Sequence, residues 1–472
     1  MRWSRPLLAC FSALLAAVAA GGGTIRAVPL PNPQIPGFTF PESESTVLSW
    51  VYDVGNSTPD SLASFNAMHL HGWGLWTALT LQTAQVDNGE MLRVFETWYT
   101  PQEVDLIPVG STPATLAAIT RRRAGLINFA QFTHGVDPGQ RLVAQTTPGS
   151  ETVFGYVKFD PNAAAHVLSQ NLLSAANLSQ LMQGGAQQIP VFPNNSLVLK
   201  SAFQVITSQT LVGGRYYRLN VWTGPPATPQ AWGPAQWPGV VWIDILGGGS
   251  GSGQVDMEAS ADGSSRTAAT TYPVSSMINH RVSALEAEQF NEGQPGSNVV
   301  AGDYAVLVAM HVAGREIARW TWQTFWWTPT PGNPQFPSSA AIAGLRPSAL
   351  SGPARNYAMA LGYGIETPSQ PNVGGQNAGA EMYVYNPYLE ARFAPVNLPD
   401  SKPGNDPDGQ PAPNNVGVQC NCMSCHMRAN FNPGALPTAP RYSGARYTDM
   451  NDPQFEGTLQ VDLLWSLSEL AH

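Results

Sequence analysis

The stretch Tyr304 to Val312 is apolar on both faces, which only a strand covered on both sides can afford. It predicts a fully buried β-strand. Ala313-Gly314-Arg315-Glu316 reads as a turn. Ile317 to Trp326 then alternates, with Ala318, Trp320, Trp322 and Trp326 on one face and Arg319, Thr321 and Gln323 on the other. The pair predicts a hairpin inside a sheet or sandwich. Val153 to Phe159, Ser196 to Ile206, Tyr216 to Trp222 and Val240 to Ile245 are further strand candidates. Charged residues make up only 12% of the chain, against roughly 25% in an average soluble protein. With 45 glycines and 41 prolines, that balance favours strands, turns and ordered loops over helical bundles. Helical spacing is clearest at Ser61 to Thr83, through Leu62, Phe65, Met68, Trp76 and Leu79, with Gly72 and Gly74 as an expected break. The expected class is therefore α+β and β-rich, with sandwich-like sheets and many loops.

The 472 residues are enough for more than one domain. Residues 1–20 have the layout of a secretory signal: Arg2 and Arg5, a short apolar core from Leu7 to Ala20, and an Ala17-Val18-Ala19 cleavage site. Leu7-Leu8-Ala9-Cys10 has a lipobox flavour but sits too early to follow a normal apolar core. No later stretch reads as a transmembrane helix. Residues 21–246 are expected to form an α+β domain, and 266–415 a β-rich one. Between them, 247–265 is a Gly/Ser-rich linker or surface loop. Residues 416–472 are set apart by their cysteines. The formal net charge of -9 argues against a nucleic-acid-binding surface. The one basic cluster, Arg121-Arg122-Arg123, reads as a solvated helix end after Ala114 to Thr120, or as a site for an anionic group.

Three of the four cysteines lie in Cys420-Asn421-Cys422-Met423-Ser424-Cys425-His426. Removal of the signal removes Cys10, and three thiols cannot make a disulfide framework. Cys422 to His426 is instead a C-x-x-C-H motif, the attachment signature of a c-type haem. Two intervening residues let both sulfurs add to the vinyl groups of one porphyrin. The adjacent histidine is then held beneath the iron as its proximal ligand. Cys420 with Cys425 and His426 gives a second, rarer C-x4-C-H register. In the favoured register Cys420 stays a free thiol beside the haem. The competing metal is a structural zinc on Cys420, Cys422, Cys425 and His426, which would strain the chelate by drawing all four ligands from seven residues. Little chain follows His426, so the haem is expected to pack between this segment and the β region, with Leu459 to Leu470 as a terminal helix or strand.

The sixth iron ligand separates electron transfer from catalysis. Met450 is the first local candidate and His311, in the buried strand, the second. Arg428 is a candidate propionate partner. The pair His69 and His71 superficially resembles the H-x-H-G element of multicopper oxidases, but the further histidine clusters and the Cys-His copper motif are missing. Asp406-Pro407-Asp408-Gly409 lacks the closing glutamate of a calcium loop and reads as a polar turn.

At Cys422 to His426 the chain resembles the c-type cytochromes. Trp320-Thr321-Trp322-Gln323-Thr324-Phe325 together with the C-terminal motif is similar to large exported monohaem proteins of bacteria. The resemblance implies one covalent haem c and export to the periplasm or beyond; it implies no substrate. The expected activity is single-electron transfer with a redox partner. The alternatives are a haem-dependent peroxidase or oxygenase with an open distal site acting on a small molecule, and a non-haem binding protein with a Cys3His metal site.

Overall fold

The structure is a computed structural model. It describes residues 25–121, 127–128, 153–228, 230–294, 296–363, 370–371, 377–378, 384–392, 404–405, 411–412, 426–427, 429–433 and 455–471. The fold mixes helix with several sheets.

Helix α1 (Glu44–Asn56) is capped by Ser43, whose hydroxyl accepts from the Thr46 N–H. Helix α2 (Ser61–Thr80) follows it and packs on the main sheet. The expected break at Gly72 and Gly74 does not occur; α2 runs through both. These glycines serve close packing instead. A Cβ on Gly74 would lie 2.1 Å from the Phe38 ring, and one on Gly72 would lie 2.8 Å from Met359 Sδ.

The main sheet is antiparallel. Its strands are β1 (Phe154–Phe159), β2 (Leu197–Ile206), β5 (Tyr304–Gly314), β6 (Thr321–Trp327) and β7 (Tyr357–Leu361). Two shorter pieces, Ile127–Asn128 and Asn279–Arg281, pair with β1 and β5. The order is β7-β6-β5-β2-β1. A smaller sheet carries β3 (Tyr216–Val221) and β4 (Gly239–Asp244), with Leu211–Val212 beside β3 and Thr271–Pro273 parallel to β4. Each strand candidate of the sequence thus has its strand, and β5 and β6 are buried on both faces.

The main sheet takes β1 and β2 from before the Gly/Ser run and β5 to β7 from after it. The run is an ordered loop on the smaller sheet, where the Ser250 N–H donates to the Ala268 carbonyl and the Gly251 N–H to that of Thr271. A second departure is the start of β6. The alternation from Ile317 predicts a strand there, yet pairing begins only at Thr321. Trp320 stands at φ 59°, its N–H bonded to the Ile317 carbonyl, and turns its ring towards Phe192. The longer connection leaves Arg315 and Glu316 free to reach outside the hairpin, as described below.

Side chains alternate between two faces of this sheet. One face meets α2: Trp76 stacks on Phe325 with ring centres 4.3 Å apart, and Gly72 sits over Met359. The register pairs His311 with Thr324 and with Lys200, and Ala313 with Trp322, so these share the opposite face. Among the described residues, no helix is long and apolar enough to cross a membrane.

Candidate functional site

Cys420, Cys422, Cys425, Arg428 and Met450 lie outside the described residues, as do Arg122, Arg123 and Asp406 to Asp408. His426 and His311 are described, and the fold brings them to one region. The chain after His426 is tied into the body of the protein. Strand β8 (Asn430–Phe431) pairs antiparallel with β9 (Leu459–Gln460). The Gln460 N–H donates to the Gln187 carbonyl and the Ile189 N–H to that of Gln460. Helix α3 (Trp465–Leu470) follows, so the terminal segment is strand and then helix.

His426 is fixed on two sides. Its Nδ1 donates to the Leu463 carbonyl at 2.7 Å, and its ring lies 4.3 Å from that of Trp322. Burial pulls its pKa down to about 4, the Leu463 bond and Glu390 opposing and His311 and Lys200 acting with it. The imidazole is therefore neutral at pH 7, with Nδ1 committed to a carbonyl and the Nε2 lone pair left as the donor. A metal-ligating histidine has that arrangement. The next residue, Met427, is buried and receives an Arg319 Nη1 hydrogen bond on Sδ at 3.3 Å.

His311 Nε2 donates to Glu390 Oε1 at 2.7 Å. Glu390 comes from the short helix Pro387–Glu390, capped by Asn386. The Asn386 amide donates to Thr324 Oγ1 at 2.8 Å and to the Phe325 carbonyl at 2.9 Å, which pins the helix to β6. His311 Nδ1 has no hydrogen-bond partner among the described residues. The pair forms a carboxylate-oriented imidazole on the sheet face that also carries Trp322.

The two histidines of α2 are held by protein groups. Burial lowers the pKa of His69 to about 4, and its Nδ1 donates to the Phe65 carbonyl. His71 belongs to a fully buried polar cluster. Gln323 Nε2 donates to the Tyr363 hydroxyl at 2.6 Å, and that hydroxyl donates to His71 Nδ1 at 2.7 Å. His71 Nε2 then lies 3.0 Å from Glu316 Oε1, close but poorly aligned for a hydrogen bond. Arg121 pairs with Glu103 at 3.2 Å and covers the Tyr99 ring, so this member of the basic cluster is engaged internally. No group of three or more metal-ligating side chains is present among the described residues.

The sequence reading missed Leu463, Arg315, Asp462 and Glu390 as site residues. Only Trp322 left a trace, in the alternation of β6. The others act through a carbonyl or through contacts between distant segments, which no local pattern encodes. No family model, curated protein or solved structure matches the chain.

Proposed function

We propose that the chain is an exported monohaem c-type redox protein, with one covalent haem on Cys422 and Cys425 and His426 as the proximal iron ligand. Two packed sheets in a sandwich-like body would carry a C-terminal haem-binding segment. Export belongs to the same reading, because covalent haem attachment takes place on the outer side of the bacterial inner membrane. The observation that carries it is the geometry of His426: a buried ring oriented through Nδ1 on the Leu463 carbonyl, leaving Nε2 to donate. A bound haem would supply a one-electron iron couple. The chain's own residues orient and shield: Leu463 fixes the ring of His426, Trp322 covers it with an apolar surface, and the tie of β9 to Gln187 and Ile189 anchors the segment.

The sixth ligand, Met450 or His311, divides the proposal. The His311–Glu390 pair favours a second reading, a haem-dependent peroxidase or oxygenase with an open distal site. Its Nε2 is already bonded to Glu390, so His311 is better arranged to hold or pass a proton than to bind iron through that atom.

The test is a visible spectrum of the periplasmically matured protein, before and after dithionite, with a pyridine haemochrome assay on denatured material. A sharp reduced α-band and non-extractable haem are expected. A spectrum unmoved by carbon monoxide supports electron transfer; one that carbon monoxide shifts supports catalysis. Absence of haem in cells that mature a control cytochrome refutes both and leaves the Cys3His metal site to assay.

A further inference from the structure

A strained turn lies beside His426. Val461 to Leu464 is closed by the Leu464 N–H on the Val461 carbonyl at 3.0 Å, and both central residues are left-handed, Asp462 at φ 46° and Leu463 at φ 66°. This is the turn pattern that Asn-Gly and Asp-Gly fill easily. Aspartate is tolerated at the first position; a bulky leucine at the second is an outlier. Such a residue persists where its surroundings over-determine it, and such residues cluster at functional sites.

The holding group is the Asp462 carboxylate. Its side chain is 1% exposed. Oδ2 accepts from Arg315 Nε at 3.0 Å and from the Phe192 N–H at 3.0 Å. Arg315 is fixed in its turn, with its N–H on the Ser196 carbonyl at 3.0 Å and Nη1 on the Ile317 carbonyl at 2.8 Å. The outcome is one aimed acceptor: the carbonyl of the strained Leu463 is the group that receives His426 Nδ1.

We propose that Arg315 and Asp462 are positioning residues for His426, their ion pair holding the left-handed turn that aims the Leu463 carbonyl at its Nδ1. The inference rests on the haem reading above. A carbonyl held on Nδ1–H raises the basicity of Nε2, which favours ferric iron. Removing the Asp462 carboxylate also leaves the Arg315 charge uncompensated, which disfavours the ferric state. Both effects have the same sign, so loss of the Asp462 charge and of its hold on the turn raises the reduction potential. Asp462→Asn keeps the shape and an acceptor for Phe192 while ending the ion pair.

The experiment is a potentiometric titration of the haem-loaded wild type, D462N and R315K, each first quantified by pyridine haemochrome. D462N is expected to shift the balance tenfold towards ferrous iron, about 59 mV upward for one electron. R315K keeps the charge, loses the Nε donor, and is expected to shift the potential upward by less. A wild type without covalent haem overturns the haem reading and this inference with it. Haem-loaded wild type and D462N whose ferric–ferrous balance agrees within twofold, about 18 mV, overturn the positioning role and leave the haem reading intact. Should D462N fail to accumulate, R315K decides alone, and an unchanged potential overturns the inference.

Discussion

Glu316 is a buried carboxylate that joins three separate segments of the chain. Its side chain is fully buried, and that of His71 is 1% exposed. Oε1 accepts from the Glu42 N–H at 2.7 Å and faces His71 Nε2 at 3.0 Å; Oε2 accepts from Thr321 Oγ1 at 3.0 Å. Glu316→Ala strands the Glu42 N–H and leaves a void beside His71. The threonine hydroxyl keeps the Gly314 carbonyl as an alternative acceptor. One stranded donor at about 1–3 kcal/mol, plus the cavity left by the lost methylene and carboxyl group, gives about 2–4 kcal/mol. Against a typical total of about 5–15 kcal/mol, that is a large fraction. Glu316→Gln retains acceptors for Glu42 and a partner for Thr321, and should cost about 1–2 kcal/mol. Equilibrium urea unfolding, followed by tryptophan fluorescence, measures both. Adding His71→Leu to Glu316→Ala removes both sides of one contact, so the double variant should be more stable than the sum of the singles predicts. An alanine variant within about 1 kcal/mol of wild type, or strict additivity with His71→Leu, would refute the reasoning.

The other predictions concern titration, packing and attachment. His69, lowered to about 4 by burial, holds its proton less well folded than unfolded. Its contribution to stability is therefore complete above pH 6.5 and lost as the pH falls towards 4, about 3 kcal/mol in all. Asp160 opposes this: burial raises its carboxyl to about 6, so its ionisation erodes stability as the pH rises from about 4 to 6. His69→Gln should thus make acid conditions relatively less destabilising, and an unfolding free energy with the wild-type pH dependence between 4 and 6.5 would count against the assignment. Gly74→Ala gains helix propensity of about 1 kcal/mol but drives a methyl into Phe38, an overpacking cost of about 1–3 kcal/mol, so a lower melting temperature is expected and a raised one would show that Phe38 moves freely. Cys422→Ser and Cys425→Ser should each abolish bis-thioether haem, while Cys420→Ser should keep the wild-type haemochrome spectrum; the reverse pattern between Cys420 and Cys422 would establish the longer register.

How much of this was legible depended on the range of the interaction. β5 announced itself because a strand covered on both faces needs an unbroken apolar run, and Tyr304 to Val312 supplies one. The start of β6 was misplaced because Ala318 and Trp320 continue the alternation by residue type, while the backbone at Trp320 is left-handed and outside the ladder. Gly72 and Gly74 looked like breakers because propensity carries no information about what lies opposite; the Phe38 ring and Met359 decide there. The spacing of Cys422, Cys425 and His426 is a local pattern and so was visible in the sequence directly. The supports of His426 were not, since Leu463 acts through a main-chain carbonyl and Trp322 comes from another strand.

The connection between β5 and β6 gives these supports a common origin. Arg315 and Glu316 are adjacent, yet Arg315 reaches the Asp462 turn and Glu316 reaches His71 and the Glu42 N–H. Arg319, in the same connection, donates to Met427, and its carbonyl accepts from Trp322 Nε1 at 2.9 Å. One short segment thus touches Met427, beside His426, through Arg319, and the turn that orients His426 through Arg315. A tight two-residue hairpin would have paired the same strands but offered no side chains to both networks. The length of the connection is therefore better explained by what it holds than by what it joins. Changes at Glu316 should be felt at His426 through Arg315 even though Glu316 does not touch it. Carbon monoxide binding or the reduction potential of Glu316→Gln, measured where the variant remains fully folded, tests that coupling: values identical to wild type would mean that the two networks share a segment without sharing a strain.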